Sequence, residues 1–346
     1  MRIQLLDSRY PWLSRHGGFA ELPGALRLNG CEAAVTAPRE GRFARIAGNL
    51  YSTWRRYPPR DQAAAASECE FLLRMRWNQN AGHILFLENH LQFLGPPRNG
   101  QTWIGTIHIP RKCWTSAALD RLRRFPAITV LCDYMADQFS DIFDATQVAV
   151  LPYGVDASFF RPPVVGGNSS PQTLIYVGAW LRNTAMLARV VVQIRRRFPG
   201  AFFEFVVPLH ARNDLALSAF VNYPSIRWHN GLSDEELRTL YQRASAMILP
   251  MDDSGANTAV VEALACGLPI VTTDVGGIRS YGGGTVFPIV ANNDDSGFVN
   301  LVGTYLTDQP FRSSVSQASR RFAETKLHWP VAAREYIGAY RSLGCL

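Results

Sequence analysis

The sequence predicts an α/β protein of two domains, each built on a parallel sheet with helices on both faces. Three observations lead to this class. The chain has 346 residues, which exceeds what a single hydrophobic core usually serves. Short apolar runs such as 246–250 and 270–273 read as buried strands on either side of a helical segment, the alternation typical of βαβ units. The segment 162–171 is rich in proline and glycine and has the composition of a linker.

Composition indicates a soluble globular protein. Hydrophobic residues make up 47% of the chain and charged residues 18%, and no apolar run approaches the roughly 18 residues of a membrane span. The first ten residues lack the pattern of a signal peptide and read as a first strand. The six cysteines show no CxxC motif and no close pairing. We therefore expect reduced thiols in a cytoplasmic protein and no cysteine metal site.

The positive charge of the chain is uneven. The net charge is +7, yet residues 39–124 alone hold 14 arginines and lysines against six acidic residues. Such an excess is either a solvated face or an attraction to an anionic acceptor or an anionic membrane surface. Arg121, Arg123 and Arg124 form the densest basic cluster of this region. No nucleic-acid-binding module accompanies the charge, so nucleic acid is not an expected partner.

Apolar periodicity places the elements in order. Strands are predicted at 3–6, 83–87, 103–107 and 127–132 in the first half, with helices over 61–77 and 134–143. Residues 20–60 carry several prolines and receive no assignment. In the second half, strands are predicted at 174–178 and 202–207. Ser233 and Glu236 have the spacing of a capping box for a helix that runs to Arg243.

The stretch 251–277 organises the second half. Asn257 suits the N-cap of a helix that begins at about Thr258 and ends before Gly267. A strand-to-helix turn rich in glycine and asparagine offers backbone amides and a helix dipole to an anion. Glu262 lies within the apolar helix, so its carboxylate needs either solvent or a specific hydroxyl partner.

Residues 262–271, Glu-Ala-Leu-Ala-Cys-Gly-Leu-Pro-Ile-Val, resemble half of a known motif. It is the nucleotide-sugar motif of the retaining GT-B glycosyltransferases of family four, the group 1 glycosyl transferases. The turn Pro152-Tyr-Gly-Val-Asp and the following Phe-Phe-Arg-Pro resemble the end of that family's first domain. The resemblance covers residues 147–290 well and the first 145 thinly. It implies two Rossmann-like domains, 1–163 and 171–328, facing an interdomain cleft, with a last helix over about 330–346 packed back on the first.

The resemblance implies a donor site and a catalytic group. The family has a glutamate eight positions before Glu262, where this chain has Ser254, and a diphosphate-binding arginine and lysine after the glycine at Gly178, where Arg182 is the only cation. The implied catalytic residues are His108, Arg182 and Ser254. The implied donor-binding residues are Gly17, Gly18, Gly178, Arg182, His229, Asn257, Thr258 and Glu262, the last as acceptor of the ribose hydroxyls.

On the acceptor side the resemblance and the sheet rule together point to three residues. His16 lies in the glycine-bearing loop after the first strand, and Glu88 and His90 follow a predicted strand. Ligands of open α/β sheets sit beyond the carboxyl ends of the strands. His108 stands in a Thr-x-His setting like that of the family. His108 and His90 also have a purely structural interpretation, in which neighbouring backbone groups satisfy the ring.

The implied function is transfer of a hexose from a nucleoside diphosphate to a saccharide or lipid-linked saccharide in polysaccharide or glycolipid synthesis. The chain has no Asp-x-Asp triplet, so we expect no metal and no cofactor besides the donor substrate. The expected location is the cytoplasm, with peripheral contact at the inner face of the membrane. Two alternatives stay open: a nucleotide-sugar epimerase on the same fold, and a non-catalytic nucleotide-sugar-binding subunit that has lost the family's glutamate, arginine and lysine.

Overall fold

The computed structural model describes residues 2–8, 15–57, 61–78, 81–94, 97, 101–163 and 172–345. The chain divides into two compact units. Among the described residues, unit 1 takes 2–8, 18–152 and 329–345, and unit 2 takes 15–17 and 153–328. The boundary between the units therefore lies after Pro152, earlier than the linker-like segment.

Unit 1 is a six-stranded parallel sheet with helices. Its strands are β1 (Arg2–Leu6), β2 (Glu32–Thr36), β3 (Ala81–Ile84), β4 (Trp103–Ile107), β5 (Ile128–Val130) and β6 (Val148–Val150). Its helices are α1 (Leu22–Leu28), α2 (Arg42–Arg55), α3 (Gln62–Asn78), α4 (Ser116–Leu122) and α5 (Asp133–Gln138), together with α12 (Trp329–Ser342) from the far end of the chain. The strand order is β2-β1-β3-β4-β5-β6.

Unit 2 is a five-stranded parallel sheet with helices. Its strands are β7 (Thr173–Val177), β8 (Phe202–Val206), β9 (Ile226–His229), β10 (Ala246–Leu249) and β11 (Ile270–Thr272). Its helices are α6 (Thr184–Arg197), α7 (Leu215–Ser218), α8 (Asp234–Arg243), α9 (Thr258–Ala265), α10 (Asp295–Thr307) and α11 (Gln309–Phe322). The strand order is β11-β10-β7-β8-β9, the arrangement of a Rossmann half.

The predicted fold class, two doubly wound α/β domains, is confirmed by these sheets. Burial explains why the strands were readable: β1, β3, β4, β5, β7, β10 and β11 are covered almost throughout, and parallel strands covered on both faces are nearly continuous apolar runs. Within the described residues, every helix is too short or too polar to cross a bilayer.

Two elements differ from the prediction, and three others lie in a region that received no assignment. The strand expected over 83–87 runs from Ala81 to Ile84, and a 3₁₀ turn follows at Leu87–Asn89. The helix expected over 134–143 ends at Gln138. The unassigned region 20–60 holds α1, β2 and α2. Proline at the second position of α1 is compatible with its first turn, so Pro23 was not the break it resembled.

Candidate functional site

The two central strands of unit 2 define its ligand edge. β7 and β10 are neighbours in the sheet, and the strand order reverses between them. In doubly wound sheets, ligands bind outside the carboxyl ends of the strands at such a switch point. The loops that follow these two strands are 178–183 and 250–257. They contain four of the residues that the sequence assigned to the donor and catalytic site, namely Gly178, Arg182, Ser254 and Asn257.

Backbone contacts join these two loops. Arg182 and Met251 form an isolated antiparallel bridge. The Asn183 amide donates to the Pro250 carbonyl at 3.0 Å, and the Asp252 amide donates to the Leu181 carbonyl at 3.1 Å. Leu181 has a φ of 58°, in the left-handed region that costs a non-glycine residue on the order of 1 kcal/mol. The position of Arg182 is therefore fixed by main chain on both sides.

Arg182 is a partly buried cation that only neutral groups surround. Its Nε and Nη2 donate to the Val177 carbonyl at 3.2 and 3.0 Å, and its Nη1 donates to the Trp180 carbonyl at 3.0 Å. Among the described residues no carboxylate lies within ion-pair distance of it. Burial lowers the pKa of the guanidinium, although arginine remains charged. A cation without a counter-charge at a ligand edge is suited to an anionic ligand.

The start of α9 lies next to this guanidinium. Asn257 caps the helix as predicted, because its Oδ1 accepts from the Ala259 amide at 3.1 Å. The same Oδ1 lies 3.4 Å from Arg182 Nη2, and Thr258 is the first helical residue. The positive end of the helix dipole and the guanidinium thus share one location, which favours a negatively charged group there.

Gly178 allows the Arg182 guanidinium to lie close to the backbone of this loop. Its φ is +85°, and a Cβ built on it would lie 2.8 Å from Arg182 Nη2. A side chain here would therefore strain the backbone and displace the guanidinium.

Glu262 has a hydroxyl partner inside the protein. The carboxyl group is buried, and Oε2 accepts from the Tyr241 hydroxyl at 3.0 Å. Burial raises the pKa of Glu262 to about 8, so the neutral acid predominates at pH 7. Of the two possibilities, solvent and a hydroxyl partner, the structure shows the second, and the expected contact with a ribose stays a prediction. Tyr241, on α8, gives no sequence signal of this role.

Ser254 lies in a buried turn held against a glycine pair. Its amide bonds to Asp253 Oδ1 at 2.8 Å, and its carbonyl accepts from the Gly277 amide at 2.6 Å. Gly276 has a φ of +54°, and a Cβ there would meet the Ser254 carbonyl oxygen at 2.2 Å. Ser254 Oγ donates within the turn, to the Gly255 carbonyl at 3.4 Å. The catalytic role of Ser254 stays a prediction that this buried placement does not favour.

His229 ends β9, the outer strand of the sheet, two strands away from β7. Its Nε2 lies 2.5 Å from Glu204 Oε2, and Arg227 Nη1 lies 3.6 Å from Glu204 Oε1. The structure therefore does not bring His229 together with Arg182 and Asn257. Its donor-binding role stays a prediction.

The glycine-bearing loop is shared between the units. His16 and Gly17 belong to unit 2, where Gly17 bridges Val155 and the His16 ring stacks on Phe159 with centroids 3.7 Å apart. His16 Nδ1 lies 3.0 Å from Asp156 Oδ2. Gly18 belongs to unit 1 and has a φ of +60°. The donor and acceptor roles of these three residues stay predictions.

In unit 1, Glu88 and His108 meet beyond the carboxyl ends of β3 and β4. His108 Nδ1 lies 3.1 Å from Glu88 Oε1, and the His108 ring stacks on Phe86 at 4.4 Å. The Glu88 side chain is only 7% exposed. Neither of its carboxylate oxygens makes a hydrogen bond with the described residues. Glu88 also lines a pocket of about 290 Å³ with Gln92, Trp114, Thr115 and Arg121 among its walls.

His90 lies in the interior of unit 1. Its Nδ1 is 2.6 Å from Glu68 Oε1 and its Nε2 is 2.7 Å from Ser8 Oγ, and the side chains of both His90 and Glu68 are fully buried. Both ring nitrogens are therefore occupied, and no surface is left for an acceptor. The structural interpretation of this histidine is the one that its placement favours.

The sequence analysis missed Trp180, an exposed side chain at the ligand edge of unit 2. It precedes Leu181 in the loop after β7 and is 56% exposed. A tryptophan two residues after a turn glycine at a strand end is the signal that could have identified it. An aromatic face at this location is suited to stacking against a base or a sugar ring.

Comparison with known proteins agrees with this geometry. The family model described as glycosyl transferases group 1 matches residues 171–308. The D-inositol 3-phosphate glycosyltransferase of Salinispora arenicola is 27% identical over 213 residues, 52% of this chain and 46% of that protein. Glycogen synthase of Mycobacterium tuberculosis is 22% identical over 68% of this chain and 62% of that protein. The matches thus span about half to two thirds of these curated relatives.

Solved structures extend the likeness to the whole chain at the level of the fold. Sucrose-phosphate synthase of Thermosynechococcus elongatus has a TM-score of 0.76 at 15% identity, with 99% of both chains covered. HepE of Anabaena, solved with UDP-glucose, has a TM-score of 0.71 at 14% identity, with both chains covered completely. The fold is therefore GT-B, and residues 171–308 match the family model of the group 1 glycosyl transferases.

Proposed function

We propose that the chain is a retaining, metal-independent hexosyltransferase that moves a sugar from a nucleoside diphosphate to a saccharide or lipid-linked saccharide acceptor. One observation carries this proposal. Arg182, a partly buried cation without a carboxylate partner among the described residues, lies beside the start of α9 at the switch point of a Rossmann-type sheet. A diphosphate is the ligand that such a site fits.

The site addresses the leaving group of the transfer. As the bond between the anomeric carbon and the diphosphate breaks, negative charge grows on the departing oxygen. Arg182 and the dipole of α9 are fixed before the reaction by the bridge to Met251 and by the Asn257 cap. Preorganised positive groups of this kind stabilise the developing charge without having to move.

The acceptor side is proposed at the pocket beside Glu88. A carboxylate whose oxygens lack hydrogen bonds can accept from sugar hydroxyls, and His108 lies within 3.1 Å of it. Trp114 offers an aromatic wall to a sugar ring, and Arg121 adds positive charge at the rim. A basic rim also fits a phosphate-bearing lipid-linked acceptor at the inner face of a membrane.

The experiment is a calorimetric titration with UDP, GDP, ADP and TDP, with EDTA present to remove divalent cations. UDP comes first because HepE was solved with UDP-glucose. We expect one nucleotide to bind, and Arg182→Ala to weaken it by about ten- to a hundredfold, the worth of a charged hydrogen bond. Arg182→Lys should fall between, since a point charge keeps part of the attraction.

The matched control is Arg189→Ala, because Arg189 lies on α6, the helix that follows the Arg182 loop, but pairs with Asp295 at 2.6 Å. It should bind nucleotide like the wild type. Unchanged affinity in a folded Arg182→Ala protein contradicts the proposed site. Nucleotide binding without sugar transfer to any acceptor would favour the non-catalytic subunit. Interconversion of the free donor without acceptor would favour the epimerase.

A further inference from the structure

Helix α2 of unit 1 carries large apolar side chains on a solvent-facing surface. Phe43 is 88% exposed, Leu50 67% and Trp54 74%, and Ile46 between them is 48% exposed. Their spacing of three, four and four residues puts them in one row along the helix. We name these four residues the α2 stripe. Side chains of this size rarely line up in water without a binding partner.

A different face of α2 holds the helix on the protein. Gly48 and Tyr51 are buried, and a Cβ on Gly48 would meet the Gln62 carbonyl oxygen of α3 at 1.9 Å. The backbones of α2 and α3 therefore approach closely through a glycine. The Trp54 ring lies 6.4 Å from the Tyr51 ring and 5.9 Å from the Arg55 guanidinium. The stripe is otherwise exposed, so substitutions within it should leave the fold intact.

Within α2 the charge has one sign, although Glu40 and Asp61 line a pocket together with Arg45. Arg42 and Arg45 are exposed on α2, Arg55 lies in its last turn and Arg56 ends it. No residue from Arg42 to Arg55 is acidic. A helix with one apolar face and an arginine-bearing polar face is the kind that lies in the interface of a bilayer. Anionic headgroups add attraction for each arginine near the surface.

We propose that the α2 stripe docks this protein on an anionic lipid bilayer. Phe43, Leu50 and Trp54 enter the boundary between headgroups and acyl chains, and Arg42 and Arg45 contact the anionic headgroups. A second copy of the chain is a poorer occupant, because a symmetric contact would bring the same arginines together. This surface differs from the Arg121, Arg123 and Arg124 cluster that the sequence had singled out.

The experiment is flotation of the full chain with phosphatidylcholine vesicles that contain or lack phosphatidylglycerol. We expect binding to the mixed vesicles that weakens as salt rises. The triple variant Phe43→Ser, Leu50→Ser, Trp54→Ser should lower the partition coefficient by at least roughly tenfold, since each lost side chain removes buried apolar area. Arg42→Glu with Arg45→Glu should lower it by a similar factor on the anionic vesicles only.

Matched controls separate docking from general stickiness. Leu28→Ser removes another exposed leucine of unit 1, 79% exposed on α1, and should leave flotation unchanged. Arg123→Glu with Arg124→Glu tests the other basic cluster and should likewise have little effect. All variants should keep the wild-type melting temperature, because the altered side chains are exposed.

Several results would overturn the proposal. These are wild-type flotation by the folded triple variant, binding carried instead by Arg123 and Arg124, and equal binding to neutral vesicles. A lipid-free dimer in sedimentation that dissociates on Trp54→Ser would assign the stripe to a second copy. The assay needs no sugar transfer, so its outcome is independent of the proposed activity.

Discussion

The two units bury titratable groups of opposite kind. In unit 1, His83 on β3 is fully buried between the Tyr340 hydroxyl at 2.8 Å and the Thr106 hydroxyl at 2.7 Å. In unit 2, Glu262 on α9 is buried against the Tyr241 hydroxyl. Burial lowers the pKa of His83 to about 3 and raises the pKa of Glu262 to about 8. Both side chains are therefore uncharged near neutral pH.

The consequence is that the two units respond to pH in opposite directions. A protein with a buried base that stays neutral in the folded state loses stability in acid, because the unfolded chain takes up the proton. A buried acid that stays neutral in the folded protein contributes less stability as the pH rises from its unfolded pKa to its folded pKa, because the unfolded chain releases the proton. Unit 1 should therefore weaken as the pH falls, and unit 2 should weaken as the pH rises.

Glu262→Gln should have the largest effect. The ordinary carboxyl pKa of 4.5 and the folded value of about 8 mean that the contribution falls as the pH rises through this range, by on the order of 4 kcal/mol. Glutamine keeps an acceptor for Tyr241 but does not titrate, so the loss should disappear. Hydrogen exchange of the β10 and β11 amides measures this pH-dependent loss of stability. The control is Glu235→Gln, because Glu235 is exposed. A wild-type pH profile in Glu262→Gln would refute this assignment.

His83→Gln should have the next largest effect, with the opposite sign. The ordinary histidine pKa of 6.5 and the folded value of about 3 mean that stability is lost as the pH falls below 6.5, by on the order of 3 kcal/mol at pH 4. The variant should lose less between these pH values. Exchange of the β3 and β4 amides reports unit 1 separately. If acid affected β10 as strongly as β3 in the wild type, the contrast between the units would not hold.

Tyr241→Phe should have the smallest effect, about 1 kcal/mol, because it removes one hydrogen bond to a buried carboxyl. The matched control is Tyr305→Phe, since Tyr305 is buried and its hydroxyl has no hydrogen-bond partner among the described residues. Urea denaturation of both variants measures the difference. Equal losses would show that the Tyr241 hydroxyl contributes nothing to holding Glu262.

The fold was largely predictable because parallel strands covered on both faces are short apolar runs. Two elements of the region 20–60, β2 and α2, were not predicted. β2 has Val35 as its only large apolar residue. In α2 the apolar row faces solvent while the buried face holds Gly48 and Tyr51. The spacing of that row, three, four and four residues, is a helical period, so α2 was missed although its pattern was present. That pattern would also have placed the wrong face of the helix in the core.

The site was predictable where the signal is local. The Asn257 cap and the need of Glu262 for a hydroxyl follow from neighbouring residues, and both are present. The partners of His90, by contrast, are Glu68 and Ser8, which lie far from it along the chain. Only the packing of three elements shows that this histidine is interior.

The last helix of unit 1 has a consequence for how the chain folds as it is made. Asn29 donates to the Pro330 carbonyl at 3.0 Å, and His83 needs Tyr340 beside it. These partners leave the ribosome only after all of unit 2 has been synthesised. Unit 2, which consists of residues 153–328 and a short stretch before residue 18, is fully synthesised by residue 328 and can fold at that point. Until Tyr340 is synthesised, His83 in the core of unit 1 lacks this hydrogen-bond partner. A stalled ribosome would therefore present a folded second unit and an unfinished first one.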